Sequence, residues 1–200
     1  GNKIIHYCWF GPRPLSKLAK KCIKSWQKYL PDYKIMKWSE ENVDLNECEF
    51  IKQAYAKKKW AFVADYARTR ALYEHGGIYF DTDVEIVKDV RFLMDKEVFL
   101  GIEDSKLVNA AIWGVKEKNN YFVKQLLDFY QSQKKFNEED IYSISIPRLI
   151  TELLKKYNLD QESDQIQILN KDIYVYPREY FYPLSYDYQN NVFTKNTCMI

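Results

Sequence analysis

Apolar and polar positions follow one another along the first part of this chain in a strand–helix–strand order. β-Branched and aromatic residues fill positions 3–9 and stop at Gly11-Pro12, which predicts a first strand. Apolar residues then recur at spacings of three and four over 14–30, as in an amphipathic helix, and a second strand is predicted over 33–38. This order is typical of an α/β crossover, in which neighbouring strands run parallel.

Further helices are predicted in the next forty or so residues. Ser39, followed by two glutamates and an asparagine, has the composition of a helix start, because serine is a favoured N-cap. Helical patterns cover 47–58 and 60–75, and in the second of these small alanines lie on one face, which favours close packing on a sheet. Gly76 is the expected left-handed residue that ends this helix.

The remaining pattern predicts more strands than helices. Strands are expected over 84–87, 97–102, 108–115 and 173–176, and helices over 121–130 and 149–157. The chain shows no internal repeat and no linker, so we expect one α/β domain over residues 1–200.

Composition places the chain in the ordinary soluble globular class and excludes several others. Hydrophobic residues make up 46% and charged residues 29% of 200. No run approaches the about 18 apolar residues of a membrane span, and no signal-peptide pattern opens the chain. The net charge of +2 gives no reason to expect nucleic acid as a partner. Four cysteines without a CxxC pair are typical of reduced thiols, so we expect a cytoplasmic protein.

The lysines cluster in two segments, and each cluster has two interpretations. One segment carries Lys17, Lys20, Lys21, Lys24 and Lys28; the other is the run 57–59. Charge runs are usually solvated helix faces. The alternative is a peripheral contact with an anionic membrane surface, at the inner face of the membrane, or with a phosphate-bearing acceptor.

The segment GGIYFDTD at 76–83 carries the strongest chemical signal. A glycine pair precedes a short apolar run that ends in two carboxylates, Asp81 and Asp83. Along an extended segment, residues i and i+2 face the same way, so we expect Asp81 and Asp83 to present two oxygen ligands to one hard divalent cation. Two carboxylates suit Mn²⁺ or Mg²⁺ that also holds substrate phosphates.

Other interpretations of the aspartate pair remain open. A calcium loop is disfavoured because the sequence lacks a third oxygen ligand followed by glycine. The phosphatase fold with an aspartyl nucleophile also has a strand ending in Asp-x-Asp, but usually near the chain start. Plain surface acids are the third interpretation.

Three further side chains are candidates for the same site. Asp65 and Arg68 are three residues apart on one side of the predicted helix; they are either a surface ion pair or a carboxylate and a guanidinium beside the aspartates. Trp9 ends the first strand, where open α/β sheets bind ligands, so it is either a core residue or a stacking partner for a nucleobase. Neither histidine has a partner in the sequence for nucleophilic catalysis.

These motifs, in this order, resemble the DXD-containing sugar transferases of glycosyltransferase family 32. The resemblance lies in IIHYCWFG at 4–11, FVADYAR at 62–68 and GGIYFDTD at 76–83. It implies a GT-A fold, a single domain whose mostly parallel nucleotide-binding sheet is flanked by helices. It also implies metal-dependent transfer of a hexose from a nucleotide sugar, which we expect to be UDP-linked, with retention at the anomeric carbon. The implied acceptor is a hydroxyl of a glycan or lipid-linked glycan in bacterial polysaccharide synthesis.

The resemblance also assigns roles to residues of this sequence. Trp9 would stack on the base, and Asp65 and Arg68 would hold the donor sugar, with Arg68 also near the diphosphate. Tyr79 would help to line the donor cleft. Asp81 would contact the ribose and the metal's water shell, and Asp83 would ligate Mn²⁺ or Mg²⁺.

The end of the chain departs from the family pattern. Cys198-Met199-Ile200 is similar to a late strand after which family members continue into a segment that completes the metal and phosphate site. We therefore expect weaker donor and metal binding without such a segment. Two other functional classes stay open: a metal-dependent phosphatase, and a sugar-nucleotide or glycan binding module without catalysis.

Overall fold

A central seven-stranded β-sheet organises the computed structural model, which describes residues 2–200. The strands are β1 (Ile4–Cys8), β2 (Lys34–Trp38), β3 (Gly77–Phe80), β4 (Val98–Ile102), β5 (Val108–Val115), β6 (Gln167–Leu169) and β7 (Ile173–Tyr176). Their order across the sheet is β2-β1-β3-β5-β4-β7-β6. Strands β5 and β6 run against their neighbours, and the other five point the same way. The predicted α/β class with a mostly parallel sheet is confirmed.

Helices cover both faces of this sheet. They are α1 (Lys17–Tyr29), α2 (Glu49–Ala56), α3 (Trp60–His75), α4 (Tyr121–Ser132), α5 (Ile146–Lys155) and α6 (Arg178–Phe181), with short 3₁₀ turns at Arg91–Leu93 and Glu138–Asp140. One core layer joins the sheet to α3, α4 and α5, and the opposite layer joins it to α1 and α6. Within residues 2–200, no helix has both the length and the apolar character needed to cross a membrane.

Two predicted elements are absent, for local reasons. The predicted helix start at Ser39 is wrong: the Asn42 side chain accepts from the Ser39 N–H at 2.9 Å and donates to the Lys37 carbonyl at 2.8 Å. These side-chain bonds hold a turn in place of a helix. The predicted strand over 84–87 is also wrong, apart from a single bridge between Ile86 and Met199.

The glycine pair before β3 sets how closely β3 approaches β1. Gly76 ends α3 with φ +66°, and Gly77 follows with φ +106°. A Cβ on Gly77 would lie 2.4 Å from the carbonyl oxygen of Ile4, closer than atoms can pack. Because β1 and β3 are parallel neighbours, the residues after Cys8 and after Phe80 emerge at the same edge of the sheet.

Candidate active site

A buried arginine at the centre of a polar cluster occupies this edge. The Nη2 of Arg68 lies 3.1 Å from Asp81 Oδ1 and 3.4 Å from Asp65 Oδ1, and its Nη1 donates to the Ala110 carbonyl at 2.8 Å. Arg68 is 5% and Asp65 8% exposed. The alternative of a surface ion pair for Asp65 and Arg68 is therefore wrong.

The sequence of α3 explains how this ion pair comes to be buried. Asp65 and Arg68 are one helical turn apart, on the side of α3 that faces the sheet. Ala67 and Ala71 are also buried on this helix, and their small side chains let α3 lie close to the strands. The Oδ2 of Asp65 accepts a hydrogen bond from the backbone N–H of Ile146 at 3.3 Å, where α5 begins.

Tyr79 joins the cluster from the strand side. Its neighbours Ile78 and Phe80 point into the opposite core layer, so alternation along β3 directs Tyr79 towards α3. The hydroxyl donates to Asp81 Oδ1 at 2.8 Å, and the Arg68 guanidinium carbon lies 4.3 Å from the ring centroid. Since Tyr79 is only 1% exposed, its contact with a ligand would run through Asp81.

The two aspartates lie in a turn, so the extended geometry expected for them is wrong. β3 ends at Phe80, and the N–H of Val84 donates to the Asp81 carbonyl at 3.1 Å. The Asp81 N–H still follows the sheet and donates to the Ala111 carbonyl at 2.8 Å. Asp81 is therefore fixed by the sheet, while Asp83 is exposed at the edge.

The electrostatics of the cluster are those of an anionic pair held beside one cation. Burial raises the pKa of Asp65 to about 6, against the opposing effect of Arg68. Partial burial and the negative charge of Asp81 both raise the pKa of Asp83. Burial disfavours the charged guanidinium and is the largest single influence, but its neighbours, Asp81 first and Asp65 among them, together outweigh it and keep the pKa of Arg68 above its usual range. A cation between Asp81 and Asp83 would relieve the repulsion that raises the pKa of Asp83.

The donor set at this edge fits a hard divalent cation. The contacts of Asp81 with Arg68 and Tyr79 both use Oδ1, and across residues 2–200 no hydrogen bond or ion pair engages its Oδ2. The described part of the chain contains no group of three or more His, Cys, Asp or Glu residues placed around one ion. Asp81 and Asp83 could thus supply two oxygen ligands, and the other positions would belong to phosphate oxygens and water.

Two adjoining cavities lie beside the cluster, at the carboxyl end of β1. The smaller, about 570 Å³, is lined by Cys8, Trp9, Phe10, Pro12, Arg13, Trp60, Ala61 and Ala64. The larger, about 870 Å³, shares Trp9, Pro12, Arg13 and Trp60 and continues to Glu40 and Tyr55. The Ala64 carbonyl accepts from Arg68 Nε at 3.5 Å, which connects the smaller cavity to the polar cluster.

Trp9 lies where these two cavities meet. Its Nε1 donates to the Arg13 carbonyl at 2.6 Å, which fixes the ring against the loop after β1. The side chain is half-buried, with partial packing against the core layer that contains α1. Trp9 therefore contributes to the core and also presents surface to the cavities.

The sequence predictions omitted several residues that shape this site. Trp60, Arg13 and Ala64 line the smaller cavity, and the Ala110 carbonyl and Ile146 amide hold the cluster in place. Arg13 follows the Gly-Pro stop after β1 and Trp60 opens α3, so their positions at element ends were available signals. The two backbone groups have no signal in the sequence.

Comparisons with known proteins find similarity to glycosyltransferases. Residues 16–100 match the family described as glycosyltransferase sugar-binding region containing DXD motif. The lactosylceramide 4-alpha-galactosyltransferase of Mus musculus is 27% identical over 122 residues, covering 61% of this chain and 32% of that protein. The alpha-1,4-N-acetylglucosaminyltransferase of Homo sapiens is 27% identical over 137 residues, covering 66% and 37%. The chain thus spans about a third of the length of these relatives.

Solved structures share the fold. The PaToxG glycosyltransferase superimposes with a TM-score of 0.62 at 22% identity, covering 78% of this chain and 68% of that one. A glycosyltransferase involved in glycosylation of the major capsid of PBCV-1 gives 0.51 at 11% identity, covering 98% and 91%. The expected GT-A fold is confirmed. The family matched over residues 16–100, the curated relatives and the solved structures with this fold are all glycosyltransferases, and the matched segment includes the Asp81–Asp83 motif.

Proposed function

We propose that this chain transfers a hexose from a nucleotide sugar, a UDP-hexose, to an acceptor hydroxyl of a growing cell-surface glycan, with retention at the anomeric carbon. The observation that carries the proposal is the position of Arg68 between Asp65 and Asp81, at the strand edge next to the cavities of Trp9. A fixed cation there would face the place where negative charge develops on a departing diphosphate.

The donor would lie along the strand edge from Trp9 to the aspartates. The base would stack on Trp9, a contact worth about 1–3 kcal/mol. Arg68 would attract the diphosphate. Asp65 would accept hydrogen bonds from sugar hydroxyls, and its raised pKa would let it share a proton with them near neutral pH. Tyr79 and the Ala110 carbonyl would hold Asp81 and Arg68 in place.

Asp81 and Asp83 would hold Mn²⁺ or Mg²⁺, which when bound neutralises charge on the diphosphate. Asp81 is the fixed ligand because the sheet and Tyr79 hold it, and Asp83 is the exposed one. Arg68 adds a second positive charge in a buried setting, where its effect on the leaving group is stronger than in water.

Retention fits the side chains of this site. Cys8 is next to the cluster, but burial raises the pKa of its thiol to about 12, so it stays protonated and is a poor nucleophile. If the acceptor attacks from the same face of the sugar from which the leaving group departs, the reaction needs no protein nucleophile. The names of both curated relatives specify alpha linkages, which a retaining enzyme would form from an α-linked UDP-hexose.

We place the reaction in the bacterial cytoplasm, at the inner face of the membrane, in polysaccharide synthesis with a glycan or lipid-linked glycan acceptor. Four free thiols, three of them buried, fit a reducing compartment. The bacterial source, the membrane face and the glycan acceptor rest on the family resemblance.

Thermal unfolding with UDP, GDP and UDP-hexoses, with and without Mn²⁺ or Mg²⁺, tests the donor site. A ligand at 100 times its dissociation constant adds about 2.7 kcal/mol, which corresponds to about 5–10 °C in a chain of this length. We expect a shift that needs both nucleotide and metal, is lost in Asp83→Ala, and is kept in the control Asp164→Ala, which removes an exposed acid elsewhere. A shift that is the same in both variants would contradict the assigned metal ligands.

Product analysis tests the reaction. Incubation with each UDP-hexose that binds should release UDP and give an α-linked product by NMR. A β-linked product would contradict retention. Binding without turnover across a panel of acceptors would favour the binding module, and release of phosphate from simple phosphoesters, lost in Asp81→Asn, would favour the phosphatase.

A further inference from the structure

We propose that a second surface of this protein, on the face of the sheet that carries α1 and α6, docks on an anionic membrane. We call it the lysine-rimmed groove and define it by Lys88, Phe92, Lys96, Ile166, Ile168 and Lys195. Its cavity is about 640 Å³. It shares no residue with the two cavities beside the polar cluster, so docking there would leave the donor site open.

Exposed apolar side chains form the sides of the groove. Phe92 is 43%, Ile166 43% and Ile168 55% exposed. The floor is aromatic, made by Tyr174, Tyr176 and Tyr180. Large apolar side chains grouped in one place, rather than scattered singly, mark an interaction site.

The rim of the groove is cationic. The ammonium of Lys88 donates to the Lys195 carbonyl, and no carboxylate in residues 2–200 lies within ion-pair distance of either lysine. Lys96 lies 5.0 Å from the ring centroid of Tyr174 and 2.9 Å from Asp95. Asp89 is the one acidic residue in the lining, so lysines outnumber acids three to one there.

The basic surface continues from the groove to the lysine-rich helix α1. The Tyr29 hydroxyl donates to the Val87 carbonyl at 3.1 Å, and Lys28 lies 5.1 Å from the centroid of the Tyr29 ring. Val87 is 37% exposed and precedes Lys88. Lys28, in the last turn of α1, is therefore linked to the groove through Tyr29 and Val87.

Charge complementarity favours an anionic lipid surface as the occupant. Peripheral membrane binding combines apolar side chains that enter the headgroup boundary with lysines that contact anionic lipids. The groove offers exposed Phe92, Ile166 and Ile168 beside Lys88 and Lys195, which have no carboxylate partner within residues 2–200. A neutral glycan would use the tyrosines but would gain nothing from exposed isoleucines.

Vesicle co-sedimentation tests the proposal with the whole chain. We expect partitioning onto phosphatidylcholine vesicles with 30% phosphatidylglycerol, but not onto phosphatidylcholine alone, and a loss of binding at high salt. Lys88→Gln with Lys195→Gln should lower the partition coefficient about 30-fold. Phe92→Ser with Ile168→Ser should lower it about tenfold.

Matched variants on other surfaces separate this face from net charge and apolar exposure in general. Lys52→Gln with Lys118→Gln, and Tyr142→Ser, change exposed residues outside the groove and should bind as the unchanged chain does. Thermal melts confirm that every variant is folded. Equal binding to both vesicle types, or equal loss in control and groove variants, would overturn the proposal. So would a dimer in size-exclusion chromatography that only the groove variants abolish, because the groove would then join two copies.

Discussion

Replacing Arg68 by methionine is the sharpest test of the buried cluster. Methionine keeps most of the side-chain length and removes the charge, which leaves Asp65 buried without its cation. Breaking a buried ion pair by removing one partner costs about 3–5 kcal/mol. The lower end applies here, since the Asp81 side chain is 36% exposed and partly screened by water. The expected loss of about 3 kcal/mol corresponds to about 6–12 °C in the melting temperature.

The loss should depend on pH in a defined direction. Burial already raises the pKa of Asp65 to about 6, and Arg68 opposes that rise. Without Arg68, the pKa of Asp65 in the folded state would be higher still, while in the unfolded state it would keep its ordinary value. The folded variant must then hold a proton that the unfolded chain has released, so the variant loses more stability as pH rises. We expect a larger deficit at pH 8 than at pH 5.

Urea denaturation of the Arg68→Met and Arg70→Met variants at pH 5 and pH 8 measures the loss in free energy of unfolding and its dependence on pH. Arg70, two residues along the same helix, pairs with Glu47 at 2.9 Å and Glu74 at 2.8 Å, and its side chain is 36% exposed. Exposed ion pairs contribute at most about 1 kcal/mol, so Arg70→Met should cost little. Equal losses in the two variants at pH 8, or an Arg68→Met deficit that does not shrink at pH 5, would refute the reasoning.

Three further changes probe the site and its frame. The unchanged chain should lose stability as pH rises from about 4 to 6, because only the folded Asp65 carboxyl keeps its proton across that window, and Asp65→Asn should abolish this loss. Thermal melts of both chains over this range measure the difference. Parallel curves of melting temperature against pH would contradict the prediction. Trp9→Ala should weaken UDP binding about 10- to 100-fold by calorimetry, and an unchanged affinity would remove Trp9 from the base site. Gly77→Ala should cost about 2–3 kcal/mol in urea denaturation, since its Cβ would meet the Ile4 carbonyl oxygen, and a loss below about 0.5 kcal/mol would show that the strands can separate there.

The sequence predicted best where the pattern was long and local. The bounds of α3, β5 and β7 are those expected, because Gly76 ends the helix and continuous apolar runs define the two strands. β6 was missed because it is a three-residue edge strand whose central residue is exposed. The Asp81–Asp83 turn was missed because alternation was extended beyond Phe80, where the buried run ends.

Within the site, the sequence predicted only those contacts whose residues lie on one helix or strand, or within one motif. The pairing of Asp65 with Arg68 follows from helical spacing, and the resemblance placed both near Asp81. The Ala110 carbonyl binds Arg68 across 42 positions of sequence, and the Ile146 amide binds Asp65 across 81. Backbone groups are present at every residue, so no composition distinguishes the ones that the fold selects.

The order of the strands decides which parts of this protein could be exchanged with those of its relatives. The family match ends at residue 100, inside β4, yet β5 lies between β3 and β4 in the sheet. Excised alone, the matched segment would expose unpaired edges of both β3 and β4, which invites aggregation. A chimera that seeks a new donor preference should therefore graft the loops after β1 and β3 onto an intact sheet, rather than transplant the segment that the family shares.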